Sequence, residues 1–373
     1  MGSFWLLIIF LVLFSLNIYI IKCHSLSNIN YDIYFEEKTL YEGEKIHIIE
    51  KIYNGKLLPL PWVKSEFEIS SNFLMDDGKN YVIRDKLRYT SIFFLLPFQQ
   101  IIRKHSFIAT KRGFYKLDKV FLVTGDLFGL TTSDKVFYFN SSVVVYPQII
   151  NINNYVKPRS SLIGETIVKR FLVEDNFHFA GIREYQTYDS FNRINWNYSA
   201  KSGTLLVNKY EYTSSGDAII ILNVQSNEFE RKDVLDKSVI EFGIKVCASL
   251  AKDLIQSGIS VGFATNAKNE ETQEAIDYIF PSRESLQIIK IFEILARIKI
   301  EITEYIETLF YNILKTQSYK EVVLITCFIN KEIEEYIRIF SQKGIRFTIL
   351  LLKYYDKKEI ELPYTNIYYL SEK

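Results

Sequence analysis

"DAIIILNVQSN", residues 217–227, decides how the second half of the chain folds. Its continuous apolar run is suited to a strand buried on both faces, as in a parallel sheet covered by helices. The next segment carries Leu235, Val239, Phe242, Val246, Leu250 and Leu254 at helical spacing and stops at Gly258. "ISVGFAT" is a second buried strand, followed by helical "ESLQIIKIFEILARI" and "ITEYIETLFYNILK". "EVVLITCFI", "KEIEEYIRIFSQKG" and "IRFTILLLKYY" then repeat strand, helix and strand. Residues 217–373 therefore read as a doubly wound α/β domain.

Upstream the grammar differs. From Tyr31 to about Ile150 apolar residues alternate with polar ones, and turn pairs such as Asn54-Gly55 break the runs. Six to eight short strands without a long helical pattern predict a β-sandwich over 31–150, immunoglobulin-like in architecture only, since no Cys–Trp–Cys spacing is present. Before it, Phe4 to Ile21 is uncharged over 18 residues. As a helix it would span about 27 Å, close to a bilayer core. The start "MGS" has no positive n-region, and Lys22 before Cys23 spoils a lipoprotein cleavage motif. The expectation is a single-pass anchor over 1–22, with Lys22 placing the bulk of the chain in the cytoplasm.

Composition narrows the functional classes. The 373 residues carry a formal net charge of +1, which gives no electrostatic reason to expect nucleic acid. Three dispersed cysteines, Cys23, Cys247 and Cys327, do not make a disulfide framework or a cysteine zinc site, and suit a reducing compartment. His24, His47, His105 and His178 are isolated, and no phosphate-binding or dinucleotide loop is present. No cofactor is expected.

Residues 151–216 join the two domains and contain the polar segment "GIREYQTYDSFNRINWNYSAKSGTLLVNKYE", 181–211. Arg183, Glu184, Asp189, Arg193, Lys201 and Glu211 bring three positive and three negative charges together, and Trp196 offers a flat face for a guanidinium. Buried charges persist only when paired, so the segment reads first as a salt-bridged joint between the two apolar domains. A clamp for a partner's peptide or acidic group is the second reading. Ser199, near Asp189 and Arg193, would suit a nucleophile, but no base accompanies it.

The order of these parts resembles the bacterial family called domain of unknown function 58. "LLPLPW" at 57–62, "RGFY" at 112–115, "GDLFGL" at 125–130 and "VYP" at 145–147 carry the resemblance. So do Arg183-Glu184-Tyr185, Asp189, Arg193-x-Ile-x-Trp196, Ser199-Ala200-Lys201 and Tyr210-Glu211. Tyr188 stands where the family has Gly, and Lys201 where it has Arg, which weakens any bidentate clamp there. The resemblance implies a C-terminal domain similar to the von Willebrand factor type A fold. Such domains hold a divalent cation through an Asp-x-Ser-x-Ser run and a later Asp. Here the aligned positions are Asn223, Gln225 and Asn227, with Thr326 and Cys327 after the later strand. Neutral amides and a thiol supply no fixed charge for a hard cation, so the expectation is a degenerate site without metal.

The resemblance also implies a non-enzymatic, membrane-anchored scaffold or adaptor that works with a MoxR-type AAA+ ATPase. An extracytoplasmic adhesion or envelope-assembly protein is the alternative. Asn223 to Asn227, Thr265-Asn266 and Thr326-Cys327 are expected to converge at the C-terminal ends of the strands as a neutral, amide-rich binding patch.

Overall fold

The computed structural model describes residues 8, 9, 15, 19, 24–75, 82–83, 86–126, 130–157, 172–186, 191, 194–214, 216–316, 319–353 and 365–371. The chain divides into two units, Met1–Gln148 and Ile149–Lys373.

In the first unit, the alternation seen in the sequence becomes ten strands among the described residues. They are β1 (Ile29–Phe35), β2 (Thr39–Tyr41), β3 (Lys45–Asn54), β4 (Leu60–Ser70) and β5 (Phe73–Met75), then β6 (Val82–Ile83), β7 (Lys86–Leu95), β8 (Gln100–Ala109), β9 (Gly113–Gly125) and β10 (Thr132–Tyr146). A four-stranded sheet runs β1-β3-β8-β5 and a six-stranded sheet runs β2-β10-β9-β4-β7-β6. One apolar core takes Ile33, Ile48, Phe73 and Phe107 from the first sheet and Phe67, Phe93, Leu122 and Val143 from the second. Each strand puts alternate residues into that core, because successive side chains point to opposite faces. Trp62 of "LLPLPW" and Gly125 of "GDLFGL" meet where β4 and β9 are neighbours, and the indole N–H donates to the Asp126 carbonyl at 3.1 Å. A Cβ on Gly125 would lie 2.6 Å from the Trp62 ring, so the indole packs there only against a glycine.

A polar cluster crosses this core. Glu50 of β3 is fully buried and accepts hydrogen bonds from the Tyr31 hydroxyl (2.7 Å) and from Ser65 on the opposite sheet. His105 Nε2 lies 2.8 Å from the other carboxylate oxygen, and the Tyr89 hydroxyl lies 3.0 Å from His105 Nδ1. Burial alone would raise the Glu50 pKa, but the bonds from His105, Ser65 and Tyr31 outweigh it and hold the carboxyl below its ordinary value. Burial and the facing carboxylate push the Tyr31 phenol up. His105 is thus part of a cross-sheet clamp, not an isolated strand histidine.

In the second unit, β11 (Val156–Lys157), the antiparallel pair β12 (Leu172–Glu184) and β13 (Leu206–Ser214), and the short α1 (Trp196–Ser202) precede the main sheet. That sheet uses β14 (Asp217–Leu222), β15 (Ser260–Thr265), β17 (Ile279–Ser282), β19 (Glu321–Thr326), β20 (Arg346–Leu351) and β21 (Thr365–Leu370). β16 (Ala267–Asn269) pairs with β18 (Ile298–Ile302) beside it. The order is β11-β21-β20-β19-β14-β15-β17, parallel from β21 to β15 and closed by antiparallel β11 and β17. The helices are α2 (Lys237–Gln256), α3 (Gln287–Arg297), α4 (Ile306–Thr316) and α5 (Lys331–Gln342). Ile219 and Ile221 of β14 pack with Phe310 of α4 and Phe340 of α5. On α2, Gly243 lets the helix approach the sheet: a Cβ there would sit 2.7 Å from Leu352 and 3.4 Å from Leu222.

Two expectations are corrected. Most of Phe4–Ile21, the expected transmembrane helix, lies outside the described residues, and no helix among the described residues is long and apolar enough to cross a membrane. The longest described helix, α2, has the length but carries Lys237, Glu241, Lys245, Lys252 and Asp253, which a bilayer core does not accept. The described structure is instead dominated by strands. The single-pass placement, and the cytoplasmic orientation that depended on it, therefore lose their support. An uncharged run of sufficient length satisfies a hydropathy criterion without fixing what the segment does. The second correction is local. Leu235 fits the helical spacing, yet α2 starts only at Lys237, because the Asp236 side chain accepts from the Val239 amide and caps the helix there.

Glu50→Gln is expected to destabilise the first unit by about 1.5–3 kcal/mol at neutral pH, since charged hydrogen bonds are lost. The folded-state pKa is depressed, so this contribution exists above the unfolded value near ~4.3 and disappears as pH falls through the lower folded value. Urea melts of both proteins from neutral to acid pH should begin to converge as pH falls below the unfolded value and meet only below the depressed folded value; a constant difference would mean that Glu50 carries no charge in the fold.

Candidate functional site

The C-terminal ends of β14, β15 and β19 define the crevice where open α/β sheets place their ligands. Asn223 follows β14, Asn266 follows β15, and Thr326 ends β19. Asn223 Oδ1 accepts from Asn266 Nδ2 (2.9 Å) and from the Gln225 backbone amide (3.1 Å). Asn223 Nδ2 donates to Thr326 Oγ1 (3.2 Å), and Asn266 Oδ1 accepts from the Val224 amide (2.9 Å). Thr326 Oγ1 in turn donates to the Phe328 carbonyl (3.2 Å). Three strand ends are thereby tied by side-chain amides.

The same residues are buried: Asn223, Gln225, Ser226, Thr265, Asn266, Thr326 and Cys327 all lie below the surface. The rim is a saturated lattice, and its amides do not form an exposed neutral patch. Burial pushes the Cys327 thiol up to about 12, far from a reactive thiolate.

Nor is the lattice without charge. Glu230, buried in the loop after β14, accepts from the Ser226 amide (2.6 Å), the Ser226 hydroxyl, the Asn227 amide (3.4 Å) and the Leu235 amide (2.9 Å). Gln225 Nε2 donates to the Glu230 carbonyl at 2.9 Å. Both carboxylate oxygens therefore face N–H and O–H donors, which is the opposite of a cation site. Asp236, close by, is paired with the Lys353 ammonium at 3.0 Å. Its bonds to Ser238 and Lys353 hold its carboxyl below the ordinary value.

While the Glu230 carboxylate turns inward, two large apolar side chains turn out beside the exposed Glu228, Arg231, Lys232 and Asp233. Phe229 is 83% exposed and Leu235 is 81% exposed. A residue just before a helix cap commonly packs on the fourth helical residue, here Ile240, and Leu235 does not. Tyr305, half-exposed, follows β18 on a loop tied to the same rim by the Thr303 amide and the Asn266 carbonyl (2.9 Å). The sequence reading missed Glu230, Phe229 and Leu235. A lone Phe set among Glu228, Glu230, Arg231, Lys232 and Asp233 has no apolar neighbour to pack with, and that was the available signal.

The polar segment 181–211 is described only in part. Asp189 and Arg193 lie outside the described residues, as does the side chain of Glu211. Glu184 and Lys201 are exposed, Trp196 is 64% exposed, and Arg183 Nη1 donates to the Glu184 carbonyl at 3.1 Å. Tyr185 stacks on Phe191 with ring centres 5.6 Å apart. Ser199 is buried, but its hydroxyl is spent on Leu206, accepting from its amide at 2.8 Å and donating to its carbonyl at 3.3 Å. It thus clips α1 to β13. Among the described members, Glu184, Lys201 and Trp196 are thus displayed to solvent.

Among the described residues, three groups that could jointly ligate a metal gather at Glu36, Glu37 and His47 of the first unit. There the Lys104 ammonium already sits 2.5 Å from Glu36, and His47 Nδ1 lies 2.7 Å from Glu37.

The family model described as "Protein of unknown function DUF58" matches residues 181–373, and the chain belongs to that family. An uncharacterized protein, YeaD, of Bacillus subtilis (strain 168) is 24% identical over 179 residues, 48% of this chain and 41% of that one. The chain thus matches less than half the length of this relative. Among solved structures, the CARDB domain of the PF1109 protein from Pyrococcus furiosus shares 13% identity over 32% of this chain and 96% of that one, with a TM-score of 0.22. The sporulation control protein Spo0M of Bacillus subtilis shares 13% identity over 39% of this chain and 57% of that one, with a TM-score of 0.21.

Asn223→Ala should cost roughly 2–4 kcal/mol, because it leaves the Asn266 amide, the Gln225 N–H and Thr326 without their buried partner. A denaturant melt within ~0.5 kcal/mol of wild type would show that the lattice is not a structural element. Cys327 and Cys247, both buried, should resist a thiol reagent at pH 8 in the native protein and react once urea unfolds it. Rapid native labelling of Cys327 would contradict the closed rim.

Proposed function

We propose that this chain is a non-enzymatic scaffold or adaptor, and that its α/β unit binds a protein partner through the loop from Asn227 to Asp236. The observation that carries the reading is the contrast within that loop. The Glu230 carboxylate and the Ser226 hydroxyl are consumed internally, while Phe229 and Leu235 stand in solvent among the exposed side chains of Glu228, Arg231, Lys232 and Asp233. An exposed Phe or Leu gains nothing for the fold, and burying each against a partner is worth about 1.5–3 kcal/mol. A preformed loop also lowers the entropy cost of association.

A degenerate type A-like module suits this role. With neutral amides at Asn223, Gln225 and Asn227 and a thiol at Cys327, it engages partners by shape and apolar contact instead of through a bridging cation. Ser199 and the buried thiols offer no activated nucleophile, which favours binding over catalysis. The partner implied by the family resemblance is a MoxR-type AAA+ ATPase.

The test is titration of the full chain with a purified MoxR-type AAA+ ATPase from the same cells. Saturable binding is expected, with Phe229→Ala and Leu235→Ala each weakening it about 10- to 30-fold, the size of an interface hot spot. Tyr311→Ser, on the exposed side of α4, should leave binding unchanged. Absence of binding, or equal loss in all three variants, would refute the proposal.

A further inference from the structure

We propose that Glu230 is a positioning residue for the docking loop: a built-in anion seated in a carboxylate-binding nest that the rim itself forms. The inference rests on the reading of the loop as the partner-binding element, but its own evidence is separate. One carboxylate gathers donors from both ends of a single loop. Ser226 and Asn227 bind Oε2 through their amides, while the Ser226 hydroxyl and the Leu235 amide bind Oε1. The residues between those ends include Phe229, and Leu235 is itself one of the donors. The Asp236 amide lies 3.3 Å from Ser226 Oγ, so the nest also connects to the cap of α2. Across the loop, the Ile302 amide donates to the Lys232 carbonyl at 2.9 Å, and the backbones of Asp233 and Glu301 form an isolated antiparallel β-bridge. The loop is therefore fixed on its outer side by β18, while on its inner side the Glu230 carboxylate joins its two ends.

Convergent backbone N–H groups form an anion-binding concavity, and these donors lie in a buried, low-dielectric place where an unmet N–H is costly. The side chain of Glu230 is the ligand of that concavity in the folded chain. Its chemical class is a monocarboxylate, and with the Glu230 side chain shortened to a methyl the space and the donors fit acetate or formate. Glu230 makes no contact of its own with solvent partners; it acts by holding Phe229 and Leu235 outward.

Chemical rescue of the full chain tests this. Glu230→Ala should lower the Tm by about 5 °C and raise amide exchange at Ser226, Asn227 and Leu235, while Ile219 to Leu222 stay protected. Sodium acetate or formate at about 100 mM should recover much of both losses, and sodium chloride at the same ionic strength should not. Wild type should not respond to acetate. Glu230→Gln keeps the shape but replaces one acceptor with a donor, so it should lose protection at the same amides and gain nothing from acetate; it serves where the alanine variant does not fold. Affinity for the ATPase should fall about 10-fold in Glu230→Ala and return with acetate. If acetate and chloride act alike, or if amide protection is unchanged in both variants, the anion role is wrong. If wild type does not bind the ATPase, the rescue of Tm and amide exchange still decides the role of Glu230, and only the partner reading falls.

Discussion

The side-chain amide of Asn223 ties the ends of three parallel strands, and the rest of the rim depends on it. It accepts from Asn266 and Gln225 and donates to Thr326. A parallel sheet ends in backbone and side-chain groups that must find partners once helices cover its faces. In a cation-binding module that demand is met around an ion; here amides meet it directly. The consequence is a closed rim, with Cys327 buried beneath it and Glu230 completing the hydrogen bonds of the loop above.

Closing the rim moves the means of recognition from charge to shape. Glu230 and Asp236 are the nearby carboxylates, and both are engaged, one by amide donors and the other by Lys353. What the loop leaves to solvent is Phe229 and Leu235, set among two acidic and two basic side chains, Glu228, Asp233, Arg231 and Lys232. The aromatic display of the 181–211 segment, with Trp196 and Tyr198 exposed on α1, is a second face of the same kind. The two faces lie within the region that defines the family, residues 181–373. In the first unit the same principle operates inward, where Glu50 joins the sheets through Tyr31, Ser65 and His105.

How much of this could be read in the residues depends on the range of the interaction involved. Strand β14 was legible, because an unbroken apolar run reflects burial on both faces and needs no partner to be recognised. The position of the rim followed from strand order alone. Its burial did not, because Asn223 meets Asn266 and Thr326 across 43 and 103 residues, and spacing carries no record of such pairs. His105 looked isolated for the same reason, lying 55 residues from Glu50. Leu235 had the right helical spacing and the wrong fate, since a capping Asp one residue later outweighed periodicity. The charges of 181–211 suggested a buried network, and among the described residues Glu184 and Lys201 are exposed. The run Phe4–Ile21 met a hydropathy rule, but no described helix is long and apolar enough to cross a membrane.

The central claim is that binding at the rim is apolar and independent of metal. Its most direct test is the affinity of wild-type chain for the ATPase measured from low to high sodium chloride, with and without a chelator. The account predicts a Kd that changes little with salt, because the loop's exposed charges, Glu228 and Asp233 against Arg231 and Lys232, sum to zero, and that is indifferent to the chelator. A Kd that weakens by orders of magnitude as salt rises, or binding abolished by the chelator and restored by magnesium, would contradict it.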